Sequence, residues 1–430
     1  MNNRTENQQI RVAEYVIIGA GPAAICAIPA ILQSGIAGHA ITWIDPQFSV
    51  GEFGTSLSVG SSVPGNTAVE SYQKVNQEIY KIVLASAPKH GQFEIDSLKA
   101  SDICSLSVAS KPLQHISNAL RQIVLSVEGK VSHIETTSTG LKVEIVLPNG
   151  TLQSVTTKRA ILATGATAKT LQLPAAHNRI ITIDPNIAFI QTALAAYLQN
   201  NPTMKTVAVI GSSHSAALAT MHLLQAGMHV KQFMNKEYKY ASPAVAPNGV
   251  RYTMYDNTGL KGEVKTFTKK LMDDMKLGQG EFHDKLELYV GNDRQAVQAL
   301  LDKHLSSCTH AVATIGYEPS NTLKVNKQPL SHYTHHNKTT EFLGVKGLFG
   351  IGVAFPQEIK AISGEVESAV GVGKFWSTVN HPTVKETWDK NHAIVTTLSQ
   401  SQNENKLFKA VVRNVEHVSA LTHDHIRSKL

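Results

Sequence analysis

Val16-Ile17-Ile18-Gly19-Ala20-Gly21-Pro22-Ala23-Ala24 is a short apolar run that breaks into glycines and small residues just ahead of a helix-forming stretch. A buried strand that ends in glycine can turn tightly. A second glycine lets backbone approach a pyrophosphate closely, and a small third residue lets the next helix lie flat on the sheet. The helix start then offers free amides and the positive end of its dipole to phosphate oxygens. Gly19, Gly21 and Ala24 fill the three small positions, with Pro22 between them. Ile41-Thr42-Trp43-Ile44-Asp45 reads as a second strand. Its Asp45 follows Gly21 by 24 residues, near the roughly 20 expected of an acid that meets a ribose. The plain alternative is a glycine-rich turn in some other α/β protein. Pro29 breaks a local rule, because proline inside a helix removes a backbone bond and crowds the preceding turn. A kink or an early helix end near Ala27 is expected.

A second copy lies mid-chain, at Val207-Ala208-Val209-Ile210-Gly211-Ser212-Ser213-His214-Ser215-Ala216. Gly211 is kept, and Ser213 stands where the second glycine would be, small enough for close approach. The strand that follows, His229 to Asn235, ends without a carboxylate. Asn235 and Lys236 occupy the place of the ribose acid, with Lys231 and Lys239 nearby. Lysines there can pair with a ribose phosphate, which favours NADPH over NADH. The alternative for them is an ordinary solvated face. Two such units in one chain point to two nucleotides held face to face, with a hydride passing between them.

The chain has 430 residues, 42% hydrophobic and 17% charged, which suits a folded enzyme of two or three domains. The net charge of +7 comes from lysines spread along the chain, without a basic run interleaved with aromatics. A nucleic-acid partner is therefore not expected, and a basic enzyme attracting anionic nucleotides is the simpler reading. Cys26, Cys104 and Cys308 are the three cysteines, far apart in sequence. Without a C-x-x-C pair, neither a redox-active dithiol nor a cysteine zinc site is available. The odd count suits a reducing compartment. Residues 15–38 are apolar, but their glycines and prolines argue for a strand-turn-helix and not a membrane span. With no secretory segment in residues 1–14, a soluble cytoplasmic protein is expected.

Between the fingerprints lie a glycine- and serine-rich loop from Pro46 to Asn66 and helical stretches at 68–87 and 112–126. A three-stranded meander follows over 129–157, turning at Thr139-Gly140 and Asn149-Gly150. It leads into the buried strand Ala160-Ile161-Leu162-Ala163-Thr164-Gly165. Residues 186–199 read as helix, His310 to Ile315 as another buried strand, Ile362 to Trp376 as a small-residue helix, and the last 40 residues as polar helix.

In order, Gly19-Ala20-Gly21-Pro22, Ala163-Thr164-Gly165, Val209-Ile210-Gly211, Ala313-Thr314-Ile315-Gly316-Tyr317-Glu318-Pro319 and Gly347-Leu348-Phe349-Gly350 resemble the two-dinucleotide-binding flavoproteins. That class contains the pyridine nucleotide-disulfide reductases and the flavin-containing monooxygenases. Ser212 to Ala216 and Asp256-Asn257-Thr258-Gly259-Leu260-Lys261-Gly262 look like an uncharacterised FAD/NAD(P)-binding branch. The resemblance implies an α/β fold of two Rossmann-like doubly wound domains plus the meander. Residues 1–175 and 320–430 would form a discontinuous FAD domain, and 176–319 an inserted NAD(P)H domain. It also implies FAD on Gly19, Gly21, Pro22, Ala24 and Asp45, reaching Thr164, Gly165, Gly350 and Gly352. NADPH would lie on Gly211, Ser213, Ser215 and Lys236, with Gly316 also among the cofactor-binding residues. One departure is Gly352-Val353, where relatives carry Gly-Asp, so that flavin contact must come from backbone or another residue.

Hydride transfer between cofactors needs no protein acid or base, which fits the lack of a triad or metal set. Val63, Asn66 and Thr67 are the candidates for lining the flavin, with Asn66 hydrogen-bonding its edge or the nicotinamide amide, or else serving as a plain turn residue. His214 is the candidate acid or shape donor at the nicotinamide, unless it merely starts a helix. A small-molecule substrate is expected, and the oligomeric state is left open. Monooxygenase (amine N-hydroxylase-like), reductase and oxidase chemistries are not separated. The alternative class is a catalytically impaired flavin- or nucleotide-binding interaction protein. The cluster His332, His335 and His336 lacks partner ligands at a known spacing, so a metal site is not assigned.

Overall fold

The computed structural model describes residues 11–54, 62–63, 65–83, 93–99, 104–171, 173, 177–319, 322–362 and 364–389. Strand β1 (Arg11–Ile18), helix α1 (Pro22–Gln33) and strand β2 (Ile41–Asp45) follow one another as the first fingerprint requires. β1 lies parallel between β2 and the long strand Leu152–Leu162, pairing Ile17 with Trp43 on one side and Ile161 on the other. Leu125–Glu128 extends the sheet beyond β2, and Leu348–Gly350 pairs in parallel with the inner end of Leu152–Leu162. The outer half of Leu152–Leu162 belongs to an antiparallel meander with Gly140–Val146 and Lys130–Thr137. One strand thus changes from alternation to a fully buried run at Arg159, where the sheet becomes covered on both faces.

A second sheet is wholly parallel, in the order Ile181–Ile183, His310–Ala313, Thr206–Ile210, His229–Met234, Leu286–Val290. The chain leaves the first sheet through Ala166–Ala168 and returns through Tyr317–Pro319, and these segments pair as a two-stranded ribbon. Each sheet has its own packed cores. One face of the first carries Tyr15, Ile17, Ile161 and Phe349 under α1, and the other carries Val16, Ile18, Leu162 and Phe342.

Several local expectations change. Helix α1 runs through Pro29 to Gln33 and does not end at Ala27. Every residue from Ala23 to Ile31 is buried, and that burial, at about 25 cal/mol per Å² of apolar surface, outweighs a proline cost of about 3 kcal/mol. The helix placed at 112–126 begins earlier, at Leu106, and carries Pro112 inside it. Residues 186–199 form two helices, Pro185–Phe189 and Gln191–Asn200. Most of the expected helix at Ile362 to Trp376 is a hairpin, Glu358–Lys360 with Val366–Ser368, followed by helix Val372–Val379. Its small residues serve the turn. The described residues end with helix Pro382–Asp389, and the polar helix expected over the last 40 residues lies outside the described residues. Among the described residues, no helix is long and apolar enough to cross a membrane.

Candidate functional site: two glycine turns

At the end of β1, Gly19 holds φ at +102°. A Cβ on it would sit 2.3 Å from the Ala163 carbonyl oxygen, so only glycine fits between the two strand ends. The Gly19 amide donates to Ile44 O at 2.8 Å, and its carbonyl accepts from the Trp43 indole N–H at 2.8 Å. Gly21 is different. It is the N-cap of α1 in ordinary extended geometry, and a Cβ there would meet nothing within 4 Å. No side chain caps the first turn of α1, which leaves its amides without a side-chain acceptor, as an anion site requires. Ala24 is fully buried against the sheet and Pro22 is the first helical residue.

Asp45 is buried at the end of β2 and accepts three backbone bonds: Ala20 N–H at 2.8 Å, Gln47 N–H at 2.8 Å and Phe48 N–H at 2.7 Å. A carboxylate offers about four acceptor positions, so one remains for a ribose hydroxyl. Its first task is to tie the glycine turn to the loop after β2. That loop returns Gly51 against Gly21, where a Cβ on Gly51 would lie 3.4 Å from the Gly21 Cα. On the opposite flank Ile351 N–H donates to Leu162 O at 2.9 Å, and a Cβ on Gly352 would touch the Ala23 Cβ at 2.9 Å. Gly350 is pressed against Phe355, and its carbonyl faces His335 Nε2 at 3.0 Å. A carbonyl only accepts, so Nε2 carries the proton. Thr164 and Gly165 follow Ala163 at the same edge, and the space in front of Gly165 is open. The turns at Gly19, Asp45, Gly165 and Gly350 to Gly352 therefore converge around α1. Val63 lies in the short strand Ser62–Val63, and Asn66 and Thr67 in the first turn of helix Gly65–Val83. Their side chains lie outside the described residues.

The second turn repeats the first. Gly211 holds φ at +147°, and a Cβ would sit 2.3 Å from the Thr314 hydroxyl. Ser213 is the exposed N-cap of helix His214–Gln225, whose first turn again lacks a side-chain cap. His214 and Ser215 are its first two residues. Burial, reinforced by the Lys261 ammonium, pushes the His214 imidazolium down to about 4, so the ring is neutral at pH 7. It can offer or accept a hydrogen bond there without carrying a positive charge. Ser212 donates to the Asn235 side chain at 2.5 Å, closing the turn onto the end of the next strand. Of the three lysines, Lys231 is paired with Glu287 at 3.1 Å and Lys239 with Glu365 at 2.9 Å. Both charges already have a carboxylate partner. Lys236 is exposed beside Asn235 and is left as the available cation. Gly316 lies at the crossing between the sheets with open space before it.

Sequence reasoning missed four supports of these turns: Trp43, Gly51, Thr314 and Gln232. Gln232 is buried and donates to Gly211 O at 3.2 Å. A signal existed for Trp43 and Gln232, since a polar side chain in a buried strand must find a partner. The histidine cluster resolves into local bonds, His335 to Gly350 and His336 Nδ1 to the Thr339 hydroxyl at 2.8 Å. Among the described residues no group of three or more His, Cys, Asp or Glu side chains is arranged to hold a metal. Two shallow cavities, of about 330 and 300 Å³, lie beside helix Gly262–Lys276 and behind the Gly350 turn against Tyr333, Phe342 and Phe355.

Residues 13–352 match the pyridine nucleotide-disulphide oxidoreductase family. The chain belongs to that family and is an oxidoreductase of the flavoprotein class, with FAD and a pyridine nucleotide as its cofactors. The glycine turns fit both groups, because each ends in a helix start without a side-chain cap. The chain is 27% identical over 393 residues to the monooxygenase AgnR1 of Paecilomyces divaricatus, covering 84% of this chain and 94% of that one. The fold is shared with ornithine hydroxylase of Pseudomonas aeruginosa (TM-score 0.55, 12% identity, 89% of this chain and 100% of the other). It is shared also with bacillithiol disulfide reductase of Bacillus cereus (TM-score 0.52, 11% identity, 89% and 100%).

Proposed function

We propose that the protein is an NADPH-dependent FAD monooxygenase acting on a small molecule. FAD is held at the turns of Gly19, Gly21, Asp45, Gly165 and Gly352, and NADPH at Gly211, Ser213, Ser215 and Lys236. The observation that carries this reading is the pairing of two uncapped glycine turns with the absence of any thiol relay. Cys26, Cys104 and Cys308 are all buried and in no disulfide, and burial pushes the Cys26 thiol far up and the Cys308 thiol to about 11. None is a thiolate at pH 7, so no protein dithiol can take electrons onward. Oxygen or a small molecule must therefore meet the flavin directly.

Bound FAD supplies a two-electron acceptor for the NADPH hydride and a place where oxygen can be activated. The protein's own work is positional. Asp45 shapes the first turn, Trp43 and Gln232 hold the two glycine carbonyls, and neutral His214 presents a hydrogen-bonding edge at the second helix start without adding a positive charge. The likeness to AgnR1 favours the monooxygenase over a simple reductase, and the N-hydroxylase fold neighbour makes an amine one substrate class to test.

The test is anaerobic reduction of the purified yellow protein by NADPH and by NADH, followed by admission of oxygen with a panel of amines and phenols. Bleaching by NADPH and an oxygenated product are expected. A flavin that neither nucleotide bleaches would shift the reading to the impaired nucleotide-binding protein.

A further inference from the structure

The segment Asp256 to Gly262 has no place in either glycine turn, yet it is built with care. Tyr255, just before it, holds φ at +57°, a left-handed conformation that bulky residues rarely adopt. The Gly259 amide closes the turn onto Tyr255 O at 2.8 Å. A Cβ on Gly259 would lie 2.4 Å from the Ala241 amide nitrogen. The turn presents Asp256 between two ammonium groups, Lys261 Nζ at 2.7 Å and Lys374 Nζ at 2.6 Å. Lys261 belongs to the same turn. Lys374 belongs to helix Val372–Val379, which packs on α1 in the first sheet's core.

Other bonds cross the same seam. The Asn257 amide and the Thr258 hydroxyl both point to the buried Glu367 carboxylate, at 3.3 and 3.4 Å. The Asn257 side chain bonds Ser368 O and accepts from Lys374. Lys239, lying 4.6 Å over the Tyr255 ring, reaches Glu365 across the gap at 2.9 Å. Every partner on one side belongs to the second dinucleotide unit, and every partner on the other to the hairpin Glu358–Ser368 or the helix after it. Asp256 and its two lysines are only 21–23% exposed, so water screens them less than an ordinary surface pair.

Both ends of this seam lie against the helices that follow the two glycine turns. Lys261 lies near enough to His214, the first residue of the second unit's helix, to depress its charge. The carbonyl of Val372, two residues before Lys374, is met by the Cys26 thiol in α1 at 3.8 Å. We propose that Asp256, clamped between Lys261 and Lys374, is a positioning residue that fixes the NADPH unit against the FAD unit in the arrangement that permits hydride transfer. This rests on the function proposed above. A misplacement of about 1 Å between reacting groups costs on the order of 100-fold in rate, so a clamp on the seam acts on the transfer step without touching either cofactor.

The test compares wild type with Lys374→Met, Lys374→Arg and Asp256→Asn. Two readouts are taken from the full-length protein. The first is anaerobic stopped-flow reduction over a range of NADPH concentrations. The second is the distance distribution between spin labels at Asn149→Cys and Lys303→Cys, exposed positions on the two units. Lys374→Met and Asp256→Asn are expected to lower the limiting reduction rate at least tenfold with NADPH affinity unchanged, and to broaden the distance distribution. Lys374→Arg is expected to restore both. In wild type, rising salt should lower the limiting rate at saturating NADPH. Unchanged rate and distances in folded variants, or a loss confined to NADPH affinity, would overturn the clamp. If NADPH fails to reduce wild type, the proposed function falls, and the spin-label distances still decide whether the clamp holds the units together.

Discussion

The Asp45 carboxylate accepts the Ala20 amide at 2.8 Å, so the acid that ends the second strand also shapes the glycine turn that ends the first. Its other oxygen takes the Gln47 and Phe48 amides. Replacing it by alanine leaves three amides without an acceptor in a buried site. Hydrogen bonds to a charged group contribute about 1.5–3 kcal/mol each when lost singly, and these share one turn and are not additive. Asp45→Ala is expected to lower stability by about 3 kcal/mol in urea unfolding and to release flavin. Asp45→Glu should recover part of the stability and little of the flavin. A variant unfolding at the wild-type midpoint would show that the three bonds contribute nothing.

Gly19 and Gly21 are expected to fail in different ways. Gly19→Ala drives a Cβ into the Ala163 carbonyl at 2.3 Å from a positive φ, so the protein itself should be destabilised by several kcal/mol. Gly21→Val meets nothing in the protein. It should fold with a Tm near wild type and carry no flavin, because its side chain fills the space of the pyrophosphate. Differential scanning calorimetry and the absorbance spectrum separate the two, and a yellow Gly21→Val protein would remove Gly21 from the flavin site.

Lys236 and Lys231 form a matched pair for nucleotide choice. Lys231 is tied to Glu287, while Lys236 is exposed beside Asn235. Lys236→Ala is expected to weaken NADPH binding about tenfold, or ~1.4 kcal/mol, with NADH unchanged. Lys231→Ala should leave the NADPH-to-NADH ratio as it was. Titration of the anaerobic protein with each nucleotide measures both, and an equal effect of Lys236→Ala on the two nucleotides ends its assignment.

His214 makes the protein sensitive to acid. Its folded-state value is pushed from the ordinary 6.5 down to about 4 by burial and by Lys261. Above pH 6.5 the ring is neutral folded and unfolded, and contributes no pH dependence. As pH falls from 6.5 to 4 the unfolded chain takes up the proton first, so stability drops, approaching a loss of about 3 kcal/mol. His214→Gln should flatten the stability profile between those limits, as read from urea midpoints at each pH. A variant as acid-sensitive as wild type would mean that other groups carry the loss.

Much of this protein was legible in the order of its residues. Both glycine fingerprints, the meander turning at Gly140 and Gly150, and the buried strands ending at Leu162 and Ala313 are local patterns whose meaning depends on few neighbours. The strand period and the demand for glycine at a tight turn act over a handful of residues. The misread boundaries have another cause. The helix continues through Pro29 because sheet and neighbouring helices bury its whole length, and the small residues after Ile362 form a hairpin because Glu365 and Glu367 have partners more than a hundred positions away.

The same division holds at the site. Sequence alone located two glycine turns, the acid after the first and the lysines after the second, since spacing along a strand-turn-helix unit is fixed by backbone geometry. Only tertiary structure decided that Asp45 braces the first turn, that Lys231 and Lys239 are already engaged while Lys236 is exposed, and that Asp256 joins the two units. Charges are assigned by proximity in space, and Asp256 and Lys374 are brought within 2.6 Å by the packing of two separate sheets, which no local pattern encodes.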